Sequence, residues 1–207
     1  MTIDYGLKKT FNFIAMKLIN LLLLIFLLAS CTKGNESAIE NQELKKYTGF
    51  YEIVSFKSDI AVDLNNDGVS SEELLGEIDY FNFQDLEISP RNDTERPTKL
   101  ASFFLPKTVL TLDCPGNAEG HATFIKYGFV TSYTLEEGRI KLTENTYLEE
   151  TYLDNVKQER VVTIGNDITL VDAQHLKATV AKEYYDFKDK RWKLLHIDIL
   201  YEKREIK

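Results

Sequence analysis

The run Asp63-Leu64-Asn65-Asn66-Asp67-Gly68 carries the most specific chemistry in this sequence. A calcium loop needs oxygens at positions 1, 3 and 5 that face one point, and glycine at position 6 for the sharp turn. Asp63, Asn65, Asp67 and Gly68 meet that demand, the carbonyl of Val69 would supply position 7, and Ser71 falls at position 9. Position 12 is Leu74 where a bidentate glutamate is needed, so Glu73, or Glu77 from a distorted loop, would have to complete a Ca²⁺ site. The competing reading is a plain Asx- and glycine-rich turn that ends a strand.

A second set of residues is apolar. Ile125, Tyr127, Phe129 and Tyr133 recur at period two, as do Leu195, Ile197, Ile199 and Tyr201. On the walls of a barrel, two such faces line a cavity for a small hydrophobic ligand or fill the interior as core. The chain's 11 tyrosines lean toward a cavity, because each hydroxyl seeks a polar partner.

Groups suited to catalysis do not converge. His121 follows Cys114 closely enough for a nucleophilic pair, but Cys114-Pro115-Gly116-Asn117 reads as a turn and nothing orients the histidine. His175 and His196 are isolated, and Asp198, on the same strand face as His196, reads as a structural partner for it. Glu149-Glu150 with Glu159 reads as a solvated acidic face. There is no serine elbow, phosphate loop or CxxC pair, so a non-enzymatic protein is expected.

The elements that would carry these residues are mostly strands. Gly49–Phe56 is aromatic and β-branched, Ala122–Leu135 alternates over its length, and Glu136-Glu137-Gly138-Arg139 turns it into Ile140–Thr143. Further strands are expected at Asp85–Ser89, Leu100–Leu105, Thr146–Leu153, Val156–Ile164, Ile168–Val171, Leu176–Phe187 and Arg191–Tyr201. One short helix is expected over Ser70–Ile78, with Ser70 or Ser71 as its cap and Glu72 and Glu73 in the first turn. Such a succession of strands with short connections forms an antiparallel meander. It either closes into an up-and-down β-barrel or stacks as a β-sandwich, and the barrel is preferred because closure removes exposed edges.

The N-terminus differs in kind. Lys8, Lys9 and Lys17 precede the apolar run Leu21–Leu28, and Leu28-Ala29-Ser30-Cys31 follows. A basic segment, a short apolar core and small residues before a break are the parts of a secretory signal. The run is short of the roughly 20 residues a spanning helix needs. Residues 1–30 are therefore expected to be removed, with Met16 as an alternative start, and residues 31–46 to form a polar tether to a single domain over 47–207. The formal net charge is −8, which argues against nucleic acid and against adhesion to anionic lipid. Only Cys31 and Cys114 are cysteines, so lipidation of the first would leave no intrachain disulfide.

Leu28-Ala29-Ser30-Cys31 resembles the bacterial lipobox, which implies acyl chains on Cys31 as the hold on a membrane. Gly49-Phe50-Tyr51 opening the first strand, followed by the Asp63–Gly68 loop, resembles the lipocalin-like lipoproteins of Bacteroidota. Tyr51 stands where those proteins often carry tryptophan. The resemblance implies a lipid-anchored barrel of the cell envelope; Thr32 in place of an aspartate after Cys31 favours the outer membrane, and the single acid in Thr32-Lys33-Gly34-Asn35-Glu36 favours its periplasmic face. Its partner would be a small hydrophobic ligand or, with a filled core, a neighbouring envelope protein.

Overall fold

The computed structural model describes residues 42–78, 85–91, 98–112 and 120–205. The expected signal, lipidated Cys31, most of the tether, and Cys114 lie outside the described residues. Residues 42–47 are helical, and the barrel unit begins at Lys46. No described helix is long and apolar enough to cross a membrane.

Eleven strands follow: β1 Gly49–Val62, β2 Ser71–Glu73, β3 Leu86–Arg91, β4 Thr98–Thr111, β5 His121–Glu136, β6 Arg139–Leu142, β7 Thr146–Leu153, β8 Val156–Ile164, β9 Asp167–Leu170, β10 His175–Asp186 and β11 Arg191–Lys203. Eight of them, in the order β11-β1-β3-β4-β5-β6-β9-β10, form an antiparallel ring that closes where β10 pairs with β11. The described strands of this unit thus form a closed β-barrel. The remaining long hairpin, β7–β8, leaves the ring between β6 and β9. It rejoins β10 at Ile164↔Val180 and Thr163↔Ala181, and touches β4 in parallel at Tyr152 and Leu153.

Alternation explains which residues fill the interior. On β11, Leu195, Ile197, Ile199 and Tyr201 are buried while His196, Asp198 and Glu202 are exposed. On β10, Leu176, Ala178, Val180, Lys182 and Tyr184 face inward by the same period. The two rows meet across the ladder, with Ala178 opposite Ile199 and Val180 opposite Ile197. Each buried aliphatic side chain contributes about 1.5–3 kcal/mol, and this wall anchors the core. A satellite cluster of Leu110, Tyr185 and Phe187, with Trp192 against it, packs beside the main core.

The expected helix at Ser70–Ile78 is corrected. Ser71–Glu73 is an edge strand on β1, followed by a single turn at 74–77. Leu74 N donates to Phe56 O at 2.8 Å, and Glu73 Oε1 accepts from Phe56 N at 2.9 Å. Ser71 Oγ accepts from Glu73 N, two residues on, in a local turn. These bonds pin Ser71–Leu74 flat to β1 and confine winding to the one turn in which Leu74 O accepts from Glu77 N and Ile78 N.

Candidate functional site

The Asp63–Gly68 loop is built largely from its own hydrogen bonds. Asp63 Oδ1 accepts from Asn66 N (2.8 Å) and Oδ2 from Gly68 N (3.0 Å), while Asp67 Oδ1 accepts from Val69 N (2.7 Å). Asn66 and Gly68 take positive φ of 64° and 83°, the left-handed conformations such a turn requires. The Asn65 side chain donates from Nδ2 to Asp67 Oδ2 and accepts at Oδ1 from Asp67 N. Glu73, the expected fifth ligand, is not brought to the loop, because its carboxylate accepts from Ser55 Oγ and Phe56 N on β1. Glu77 is nearer: its Oε2 accepts from Leu64 N at 3.0 Å, and burial, reinforced by Asp67 and Asp63, raises its pKa. Among the described residues, no three histidine, cysteine or acidic side chains are grouped to hold a metal. Of the expected Ca²⁺ set, Asp63, Asn65, Asp67 and Val69 share the loop while Glu73 is turned away to β1, and the loop's own hydrogen bonds give it the form of a strand-ending turn. Its base is tied to β10 through Asp63 N, which donates to Asp186 Oδ1 at 3.0 Å.

The apolar set divides. Tyr133, Leu195, Ile197, Ile199 and Tyr201 are buried, Tyr127 and Phe129 are half-buried, and Ile125 is 39% exposed. The expectation of one continuous inward face on β5 is corrected at Ile125. Along the β4–β5 hairpin, the buried residues change from Phe103, Leu105, Thr131 and Tyr133 to Thr108, Leu110 and Phe124. Phe124 packs on Tyr184 of β10, with ring centroids 6.3 Å apart, so the distal half of the hairpin covers the barrel with its opposite face.

This change leaves a seam. β5 pairs with β6 only over Tyr133–Glu136, and among the described residues its ladder does not continue onto β7. Side chains span the interval instead. Tyr147 of β7 stacks on Tyr127 (5.7 Å, 9°) and on Phe129 (4.7 Å, 15°), and Phe129 stacks on Phe103 (6.5 Å). Tyr127 also donates its hydroxyl to Leu148 O at 3.2 Å. Lys107 lies beside this row, 5.1 Å from the Tyr127 ring and 5.6 Å from the Tyr152 ring, and donates to Glu150 O at 2.8 Å.

Tyr147, Glu149 and Thr151 fall on one face of β7, and Glu149 forms an ion pair with Lys182 of β10. The two side chains are 2% and 1% exposed. Burial pushes the Glu149 carboxyl up and the Lys182 ammonium down, each opposed by the charge of the other. Glu149 Oε2 and the Tyr147 hydroxyl are buried without a hydrogen-bond partner. Tyr184, whose phenol is raised first by burial and then by the Glu149 charge, donates to Pro106 O at 2.7 Å.

Glu149 is thus no part of a solvated acidic face, although Glu150 and Glu159 are, both paired with Lys157. The missed signal is the alternation itself. In Leu176-x-Ala178-x-Val180-x-Lys182-x-Tyr184, a lysine sits on an otherwise apolar face, which calls for a buried acid opposite. His196 bonds Asp59 (3.1 Å from Nδ1) in place of Asp198, which pairs with Lys177 at 2.9 Å. His175 bonds Asp172 at 2.8 Å. His121 is exposed, and Cys114, its expected counterpart, lies outside the described residues.

The chain matches no family model, no curated protein and no solved structure.

Proposed function

We propose that this protein is a lipid-anchored envelope protein whose barrel takes up a small, largely apolar molecule at the β5–β7 seam. The observation that carries the reading is the stack of Tyr127, Tyr147 and Phe129, which joins β5 to the inserted β7–β8 hairpin by side chains where, among the described residues, no backbone ladder runs. Side chains change rotamer far faster than strands separate, so an aromatic seam can admit a guest without unzipping the barrel. In the interior, Tyr133, Leu195, Ile197, Ile199 and Tyr201 offer mostly apolar surface. Acyl chains on Cys31 would hold the acidic chain at the outer membrane, on its periplasmic face, and no catalytic step is assigned.

Solvent extraction and native mass spectrometry of the purified protein test the reading, which expects a noncovalent small molecule to be released. Cys31→Ala should abolish incorporation of labelled palmitate, and label persisting on that variant would refute the anchor.

A second reading, recognition of an envelope protein, draws on the outer wall. Two adjoining grooves of about 530 and 490 Å³ share Thr163 and Ala181, where β8 leaves β10 after two paired residues. Val161 and Leu194 line the second groove and are 56% and 51% exposed.

A further inference from the structure

We infer that the molecule taken up at the seam carries a neutral hydroxyl group, received by Glu149 Oε2 and the Tyr147 hydroxyl. This rests on the ligand reading above and names the chemical class that the site selects.

Glu149 commits Oε1 to Lys182, and its second oxygen is buried with no hydrogen-bond partner. The Tyr147 hydroxyl, two residues earlier on the same face of β7, is in the same condition. The Glu149 charge reaches it and, after burial, is the main influence raising the phenol. A buried polar atom without a partner costs about 1–3 kcal/mol, and more when charged. Two such atoms on one face of a strand call for a specific explanation. Of the other polar groups nearby, Lys182 is committed to Glu149, Tyr184 to Pro106 O and Lys107 to Glu150 O, while the Tyr201 hydroxyl, whose influence reaches Tyr147, is likewise buried without a partner.

Their location links them to the seam. Tyr147 stacks on both Tyr127 and Phe129, so a guest that displaces either ring lies against Tyr147, two residues from Glu149 on the same face of β7.

The neighbouring charges fix the sign of the guest's polar group. A carboxylate would meet Glu149 in a desolvated setting. An ammonium would add a second cation beside Lys182, which already feels Lys107 and Arg160. A neutral O–H fits both orphaned atoms, since it can donate to Oε2 and accept from the phenol.

Equilibrium dialysis of the full chain against naphthylmethanol, methylnaphthalene, naphthoate and naphthylmethylamine tests the inference, because the probes share a ring system and differ in the head group. The alcohol should bind about tenfold more tightly than the hydrocarbon, in keeping with one added hydrogen bond to a charged acceptor, and both charged probes should bind more weakly than the hydrocarbon. Tyr147→Phe removes only an unpartnered hydroxyl and keeps the stack, so it should fold normally and lose the part of the alcohol's advantage that the phenol supplies. Equal binding of alcohol and hydrocarbon overturns the inference and leaves the ligand reading standing. An alcohol preference untouched by Tyr147→Phe overturns the assignment to these atoms. Binding of none of the four overturns both readings.

Discussion

Lys182 and Glu149 pair across the barrel interior from two strands, β10 and β7, that are not neighbours in the sheet. The pair joins the ring to the inserted β7–β8 hairpin at a depth where neither charge is hydrated. The ionic and the neutral form of such a pair hold one proton between them, so the pair adds little pH dependence near neutrality.

Removing one member alone should be severe. Lys182→Met is expected to cost about 3–5 kcal/mol in urea unfolding, because it strands a buried carboxylate. The double variant Lys182→Met/Glu149→Leu should recover most of that loss. A double variant as unstable as the single one would show that the ion pair stabilises the fold beyond the mutual neutralisation of its charges.

Much of this architecture is legible from alternation. The strands from Thr146 to Tyr201 fall within a few residues of their expected limits, because period-two burial and short polar turns agree there. The segment Ser70–Ile78 was not legible, since its capping and acidic residues suit a helix locally while β1 recruits Glu73 and Leu74 at long range. For the candidate site, Tyr127 and Phe129 could be read from the sequence, but Tyr147 and Glu149 could not. Their roles depend on where β7 crosses the barrel, which no local pattern specifies.

Arg160 lies 3.5 Å over the ring of Trp192, the chain's single tryptophan, and pairs with Glu183. Arg160→Lys keeps the charge but loses the planar stacking. It should cost about 1 kcal/mol and change the emission maximum of Trp192. An unchanged spectrum with unchanged stability would argue against this stacking in solution.

Asp63 satisfies two backbone N–H groups of its loop and is 2% exposed. Asp63→Ala should therefore cost about 2 kcal/mol by thermal or urea unfolding. Asp67→Ala, whose carboxylate bonds in solvent, should cost less than half as much. Equal costs would mean that burial of the loop base is not what matters.

Glu77 has a native pKa raised above its ordinary value, chiefly by burial and then by Asp67 and Asp63. The native state keeps a proton that the unfolded chain loses near pH ~4.3. Stability from this group therefore declines as pH rises from that value through the raised native one. Glu77→Gln retains an acceptor for Leu64 N and should flatten the decline. Melting temperatures of both forms from acidic to neutral pH will show it, and parallel curves would refute the assignment.

The seam itself is tested most directly by titrating the protein with N-phenylnaphthylamine, an uncharged fluorophore that brightens in apolar surroundings. Wild type should give a saturable rise in emission. Tyr127→Arg, in the seam, should abolish that rise, and Leu194→Arg, in the outer groove, should leave it unchanged. A rise lost in Leu194→Arg and kept in Tyr127→Arg would contradict the account and place recognition on the outer wall.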